Sequence, residues 1–164
     1  FSDFARMPKP TLKDNDLILI LKKNIKLLNE LDVNIKINFN YINDKIILNS
    51  DSEQLSRVFF NLIKNSIESI QEKNVNNSHF NGIINIEISH KSDYIEFIII
   101  DNGKGFEISP DNIKNVLNPY FTTKIKGTGL GLAIVNKIVN DHNGSIKFEP
   151  LNVGAKIIIK FLKK

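Results

Sequence analysis

Cysteine and tryptophan are absent from this 164-residue chain, and methionine occurs once. Without cysteine there is no disulfide and no thiolate metal site, which fits a reducing compartment. No apolar run approaches the ~18 residues of a membrane-spanning helix. No block of like charge exists either: 22 Lys and Arg lie scattered among 18 Asp and Glu, for a formal net charge of +4. That balance describes a solvated, mildly basic face rather than a nucleic-acid surface. No internal repeat is evident. The chain starts at Phe1 and no signal-peptide pattern follows, so it is expected to be part of something longer.

What is present suits one soluble domain. The hydrophobic fraction is 41% and the charged fraction 24%, and a chain of this size can bury roughly 70% of its unfolded surface. Pro8 and Pro10 prevent a regular helix through residues 1–13, which read as a connector. From Asp14 or Asp16, Leu17, Leu21, Ile25 and Leu28 recur at helical spacing as far as Leu31. The period then changes to two at Val33, Ile35, Ile37, Phe39 and Tyr41, a half-buried strand, and a short strand 46–48 follows. Asp51 or Ser52 caps the strongest helix, to about Glu72, with Leu55, Val58, Phe59, Leu62, Ile63, Ser66, Ile67 and Ile70 inward.

After a polar loop, strands are expected at 83–89 and 94–101 around a turn at Ser92-Asp93. From Asn102 to Thr128 regular periodicity is lost apart from one short helix near 112–117, the mark of a functional loop. A helix from about Gly129 to Asp141, stopped by Asn143-Gly144, and strands 145–149 and 155–161 complete the chain. Strand pairs with short turns imply antiparallel neighbours. The expected fold is therefore a two-layer α/β sandwich, a mixed, mostly antiparallel sheet with about three helices on one face.

Several places can carry chemistry. Asn61 and Asn65 are four apart on the long helix, so both amides leave one side of it. They suit either a plain helix surface or an oxygen ligand for Mg²⁺. Asp101 ends an apolar strand and opens Asp101-Asn102-Gly103-Lys104-Gly105-Phe106. A carboxylate there can accept from a purine amino group, and glycines let backbone approach a flat ring; an Asx-type turn is the plainer reading. Gly127-Thr128-Gly129-Leu130-Gly131 opens the last helix, whose unpaired N–H groups favour phosphate. It is neither a dinucleotide fingerprint nor a P-loop. Phe121-Thr122-Thr123-Lys124 offers hydroxyls, an ammonium and an aromatic anchor just before it. His79, His90 and His142 are dispersed, lack the acid of a phosphoacceptor helix, and read as surface or loop residues.

The order of these segments is more specific than any one of them. NLIKNSIESI, DNGKGF, NPYFTTK and GTGLGLAIVNKIVNDHNGSI resemble the N, G1, F and G2 boxes of the sensor histidine kinase catalytic domain, within the GHKL superfamily. FSDFARMPKP resembles the end of the dimerisation helix in its nitrogen-regulation, NtrY-like branch. The resemblance implies a Bergerat-type fold over residues 14–164, ATP and Mg²⁺ as cofactors, and a connector 1–13 from dimerisation and phosphoacceptor helices. Asn65 would hold Mg²⁺, with Asn61 nearby and Lys64 or Glu68 helping around the phosphates. Asp101 would take the adenine amino group in a pocket shaped by Gly103 and Gly105. Lys104 to Lys126 would be the ATP lid; Phe121, Thr122, Thr123, Lys124, Gly127, Thr128, Gly129, Leu130 and Gly131 would be nucleotide-binding, the glycines and Leu130 at the phosphates as the lid closes and Phe121 as the loop's anchor. Many relatives carry threonine after the glycine matching Gly154, but Ala155 stands here.

The resemblance also bears on the reaction. Relatives that hydrolyse ATP, of the chaperone, mismatch-repair and gyrase types, carry a glutamate four residues before the Mg²⁺ asparagine. Asn61 holds that place here, and an amide cannot act as the base. Phosphoryl transfer to a histidine is thus implied, with a regulator or serine kinase of the anti-sigma type as the alternative. The implied partners are the chain's own dimerisation and phosphoacceptor domain, a response regulator, and a second copy in the full-length protein, with no nucleic acid and no membrane contact. The implied setting is a cytoplasmic domain of a parent anchored in the inner membrane.

Overall fold

The computed structural model describes residues 7–75, 79–106 and 131–163. In chain order these form β1 (Lys13–Asp16), α1 (Leu17–Asn29), β2 (Lys36–Tyr41), β3 (Ile47–Ser50), α2 (Ser52–Asn74), β4 (Ile83–His90), β5 (Tyr94–Asp101), α3 (Gly131–Asp141), β6 (Gly144–Pro150) and β7 (Ala155–Leu162). The five-stranded sheet runs β2-β4-β5-β7-β6. All its ladders are antiparallel except β2–β4, which is parallel. Three helices cover one face, as the α/β sandwich reading expects. Among the described residues no helix is long and apolar enough to cross a membrane.

Period-two alternation sorts the sheet residues. Ile84, Ile86 and Ile88 of β4, Ile95, Phe97 and Ile99 of β5, and Ile157, Ile159 and Phe161 of β7 are buried on the inner face. Asp101 continues that row at its end. Opposite lies α2, whose stripe from Leu55 to Ile70 is buried, with Phe59 and Phe97 stacking at 5.0 Å between ring centroids. Asp51 caps α2 by accepting from the Gln54 N–H at 3.0 Å. Along one end of the sheet this packing lines up α2 and the terminus of β5.

Two expectations need correction. The two strands of residues 33–48 lie in different sheets: β2 begins at Lys36 and pairs parallel with β4, and β3 pairs antiparallel with β1 in a separate two-stranded sheet. The cause is Ile46, whose N–H donates to the Asp16 carboxylate (3.1 Å) and whose C=O accepts from Leu17 (2.8 Å). Those bonds carry the segment across to the start of α1. Asp16, rather than Asp14, caps α1. Val33 stays exposed, because Asp32 holds the Asn34 N–H (3.0 Å) and the Ile35 N–H (3.2 Å) in a turn before β2 begins.

The second concerns His142, which is buried rather than a surface or loop residue. Its Nε2 accepts from the Asp51 N–H at 3.0 Å, so Nδ1 carries the proton and donates to the Ile138 C=O at 2.8 Å. One ring thus joins the end of α3 to the cap of α2. Leucine at His142 leaves the Asp51 N–H unpaired, at a cost of ~1–3 kcal/mol. Thermal denaturation should show a fall in Tm of roughly 3–10 °C for a domain of this size. His79 and His90 are exposed.

Candidate functional site

The apolar strand β5 ends in a carboxylate. Asp101 sits between Ile84 of β4 and Ala155 of β7 in the ladder, and is 7% exposed. A buried carboxylate needs partners. Oδ1 accepts from the Gly103 N–H at 2.9 Å, closing an Asx-type turn, and Oδ2 accepts from the Ser66 hydroxyl of α2 at 3.0 Å. Burial pushes the carboxyl pKa above its ordinary value, while the Gly103 N–H, the Ser66 hydroxyl and the Lys73 ammonium pull the other way. An ionised carboxylate has about four lone-pair sites, so acceptor capacity remains for a ligand's amino group.

The turn after Asp101 is clamped from three sides. Gly103 lies on α2 so closely that a Cβ there would stand 2.5 Å from Ser69 Oγ and 2.8 Å from the Ile70 nitrogen. Lys104 donates its N–H to Ser69 Oγ (3.0 Å), and its ammonium meets Glu72 at 3.2 Å. From behind, Lys73 donates to the Asn102 C=O at 3.1 Å, and the Asn102 amide bridges Ile83 and Asn81. Gly154, at φ +86°, presses on the strand end: a Cβ would fall 1.8 Å from the Asp101 carbonyl oxygen. Gly105 takes a positive φ as well. Phe106 anchors the far end edge-on to Phe148 at 5.6 Å.

Asn61 and Asn65 are half-buried on α2, and Ser69, which holds the turn, lies four residues beyond Asn65. Four residues of α-helix rise about 6 Å along nearly one direction, so the two amides form a row leading from the Asp101–Gly105 turn. Both offer the hard oxygen donors that a divalent cation such as Mg²⁺ takes. Lys64 is exposed, its ammonium 6.0 Å from the Phe60 ring centroid, and Glu68 is half-buried. Gly131 opens α3, and among the described residues nothing lies within 4 Å of the space a Cβ would occupy. Phe121, Thr122, Thr123, Lys124, Gly127, Thr128, Gly129 and Leu130 lie outside the described residues, as does the lid span from residue 107 onward.

Sequence reasoning placed Ser66 in the hydrophobic stripe and passed over its chemistry. The signal was there: a lone polar residue amid buried apolar positions must find a partner. Gly154 and Ser69 were missed as well, since their roles depend on contacts remote in sequence.

Solved structures set the class first. The fold matches the nucleotide-free catalytic domain of histidine kinase ThkA with a TM-score of 0.78 at 26% identity, over 93% of this chain and 95% of that one. ThkA bound to its response regulator TrrA gives 0.74 at 22% identity, over 93% of this chain and 42% of that one, a likeness of fold. A family model matches residues 50–164, and the chain belongs to that family, the histidine kinase-, DNA gyrase B-, and HSP90-like ATPases. ATP is accordingly the nucleotide of its class.

Among curated proteins, the putative NtrY-like sensor histidine kinase of Rickettsia felis is 37% identical over 98% of this chain and 26% of its own length. The sensor histidine kinase ZraS of Escherichia coli K12 is 32% identical over 89% of the chain and 30% of its own length. The chain therefore spans about a quarter of the length of its first curated relatives.

Proposed function

We propose that residues 14–164 bind Mg·ATP and position its γ-phosphate for transfer to a histidine on the dimerisation domain of a two-component sensor kinase. The observation that carries this reading is the buried Asp101 carboxylate, held by Gly103 and Ser66 with lone pairs to spare. Asp101 takes the adenine amino group, and Gly103 and Gly105 let backbone lie close to the purine. Asn65 holds Mg²⁺, with Asn61 beside it; residues 122–124 and 127–131 serve the phosphates, and Phe121 anchors their loop. The metal would supply charge neutralisation at the phosphoryl group, the larger part of the task in this chemistry.

Asn61 separates transfer from hydrolysis. Its side chain stands beside the metal ligand on α2 and cannot remove a proton from water. Of the histidines, His142 has both ring nitrogens engaged. His90 pairs with Ile95 at the end of the sheet away from Asp101, about 20 Å along the strands at ~3.4 Å per residue. The resemblance to sensor histidine kinases, rather than elimination, supports an acceptor on the helices that the connector 1–13 leads from. The NtrY-like sensor kinase relatives support onward transfer to a response regulator; a homodimeric parent anchored in the inner membrane belongs to the same proposal.

Full-length parent incubated with γ-labelled ATP should take up label that is acid-labile and alkali-stable, as a phosphoramidate is. Acid-stable label would instead support a serine kinase of the anti-sigma type. The chain alone should hydrolyse ATP far below ~1 s⁻¹, the lower end of ordinary enzyme turnover; a rate at that level contradicts the Asn61 argument. Alanine at Asn65 should remove most of the gain in ATP affinity that Mg²⁺ confers, read by titrating nucleotide with and without the metal.

A further inference from the structure

We propose that Ser66 is a positioning residue for base recognition, its hydroxyl fixing the carboxylate that Asp101 turns toward an adenine amino group. This rests on the nucleotide reading above, in which Ser66 is only a hydrogen-bond partner of Asp101, and gives that residue a role in recognition of the base. From Leu55 to Ile70 the buried face of α2 is apolar except for Ser66. A serine within a helix ordinarily bonds back to a carbonyl one turn earlier or faces water. Here it does neither. Its Oγ donates 3.0 Å to Asp101 Oδ2, across 35 positions of sequence and between two buried side chains.

The neighbours explain why that bond matters. Asp101 is flanked in the sheet by Ile84 and Ala155, neither of which has a polar side-chain atom to restrain a carboxylate. Gly103 holds Oδ1 alone. One fixed oxygen leaves the carboxylate free to tilt about that contact, whereas two fix its plane and the direction of its remaining lone pairs. Ser66 also follows Asn65 directly on α2. A single helical turn therefore carries the proposed metal ligand and the group that sets the base acceptor, holding both parts of the nucleotide site in one frame.

The test compares two diphosphates by calorimetric titration in the presence of Mg²⁺: ADP, and IDP, which has an oxo group in place of the amino group. Ser66→Ala should weaken ADP binding about 10-fold, the order of one hydrogen bond to a charged group, and leave IDP nearly unchanged. The preference for ADP then shrinks by the same factor. Ser66→Thr, which keeps the hydroxyl, should restore the preference. Equal losses for ADP and IDP in Ser66→Ala, or no loss for either, would overturn the proposal by reducing Ser66 to a packing role. Asp101→Asn run alongside separates the two claims. If it keeps full ADP affinity the nucleotide reading itself fails, and if it loses affinity while Ser66→Ala does not, only the role of Ser66 falls.

Discussion

Asparagine at Asp101 is expected to weaken Mg·ADP binding by about 100-fold, the order of one charge-assisted hydrogen bond lost with a donor left facing a donor. The fold should survive. Asparagine keeps an oxygen for the Gly103 N–H, and its amide can donate to the Ser66 hydroxyl, which accepts as readily as it donates. Thermal melts of the variant at neutral pH should match or exceed those of the parent, because a buried charge has been removed.

The same carboxylate gives two pH trends of opposite sign. Burial raises the Asp101 pKa in the folded chain above its unfolded value. The folded state therefore binds this proton more readily, and the group's contribution to stability grows as pH falls through the raised pKa and is lost as pH rises through it. Nucleotide binding runs the other way, since the amino group needs an ionised acceptor. Affinity for ADP should begin to fall at a pH above the ordinary aspartate range, while this one group favours folding. Asp101→Asn should flatten both trends. Parallel titrations and melts across mildly acidic pH check the signs.

Alanine at Gly154 is expected to be the most damaging single methyl group in the described structure. Its Cβ would stand 1.8 Å from the Asp101 carbonyl oxygen, 2.7 Å from the carbonyl carbon and 2.8 Å from Asn102 Cα, all backbone. None of these can rotate away. The residue also sits at φ +86°, where an L side chain is strained. Strain of ~1–2 kcal/mol and overpacking of ~1–3 kcal/mol add up to a loss of about 2–5 kcal/mol. Denaturant unfolding should show a lower midpoint at unchanged slope, with ADP affinity reduced in whatever folded fraction remains. A variant as stable as the parent would mean the turn at 154 can move away from β5 freely.

Much of this molecule was legible in its sequence, for reasons that particular residues show. The long helix α2 declared itself through the Asp51 cap and an unbroken 3.6-residue stripe. Strands β4, β5 and β7 are short, isoleucine-rich runs, and β5 stops at the polar Asp101-Asn102-Gly103, so the position of Asp101 at a strand end could be read directly. Strand β1 could not be read: Lys13-Asp14-Asn15-Asp16 has no apolar alternation, and is a strand only because β3 pairs with it. The parallel partner of β2 was hidden too, since the polar turn after Tyr41 mimics a hairpin while the Asp16–Ile46 contact that decides the matter spans 30 positions. At the site, Asn65 and Asp101 followed from motif order. Ser66, Ser69 and Gly154 did not, because each acts on a residue distant along the chain.

The central claim is that Asp101 reads an adenine amino group in a nucleotide site of this domain. Calorimetric titration of the chain with Mg·ADP, against Mg·IDP under the same conditions, tests it most directly. The account predicts one saturable site for ADP and a preference over IDP of about 100-fold, the worth of a charge-assisted hydrogen bond. Equal affinities, or no saturable heat with either nucleotide, would contradict it.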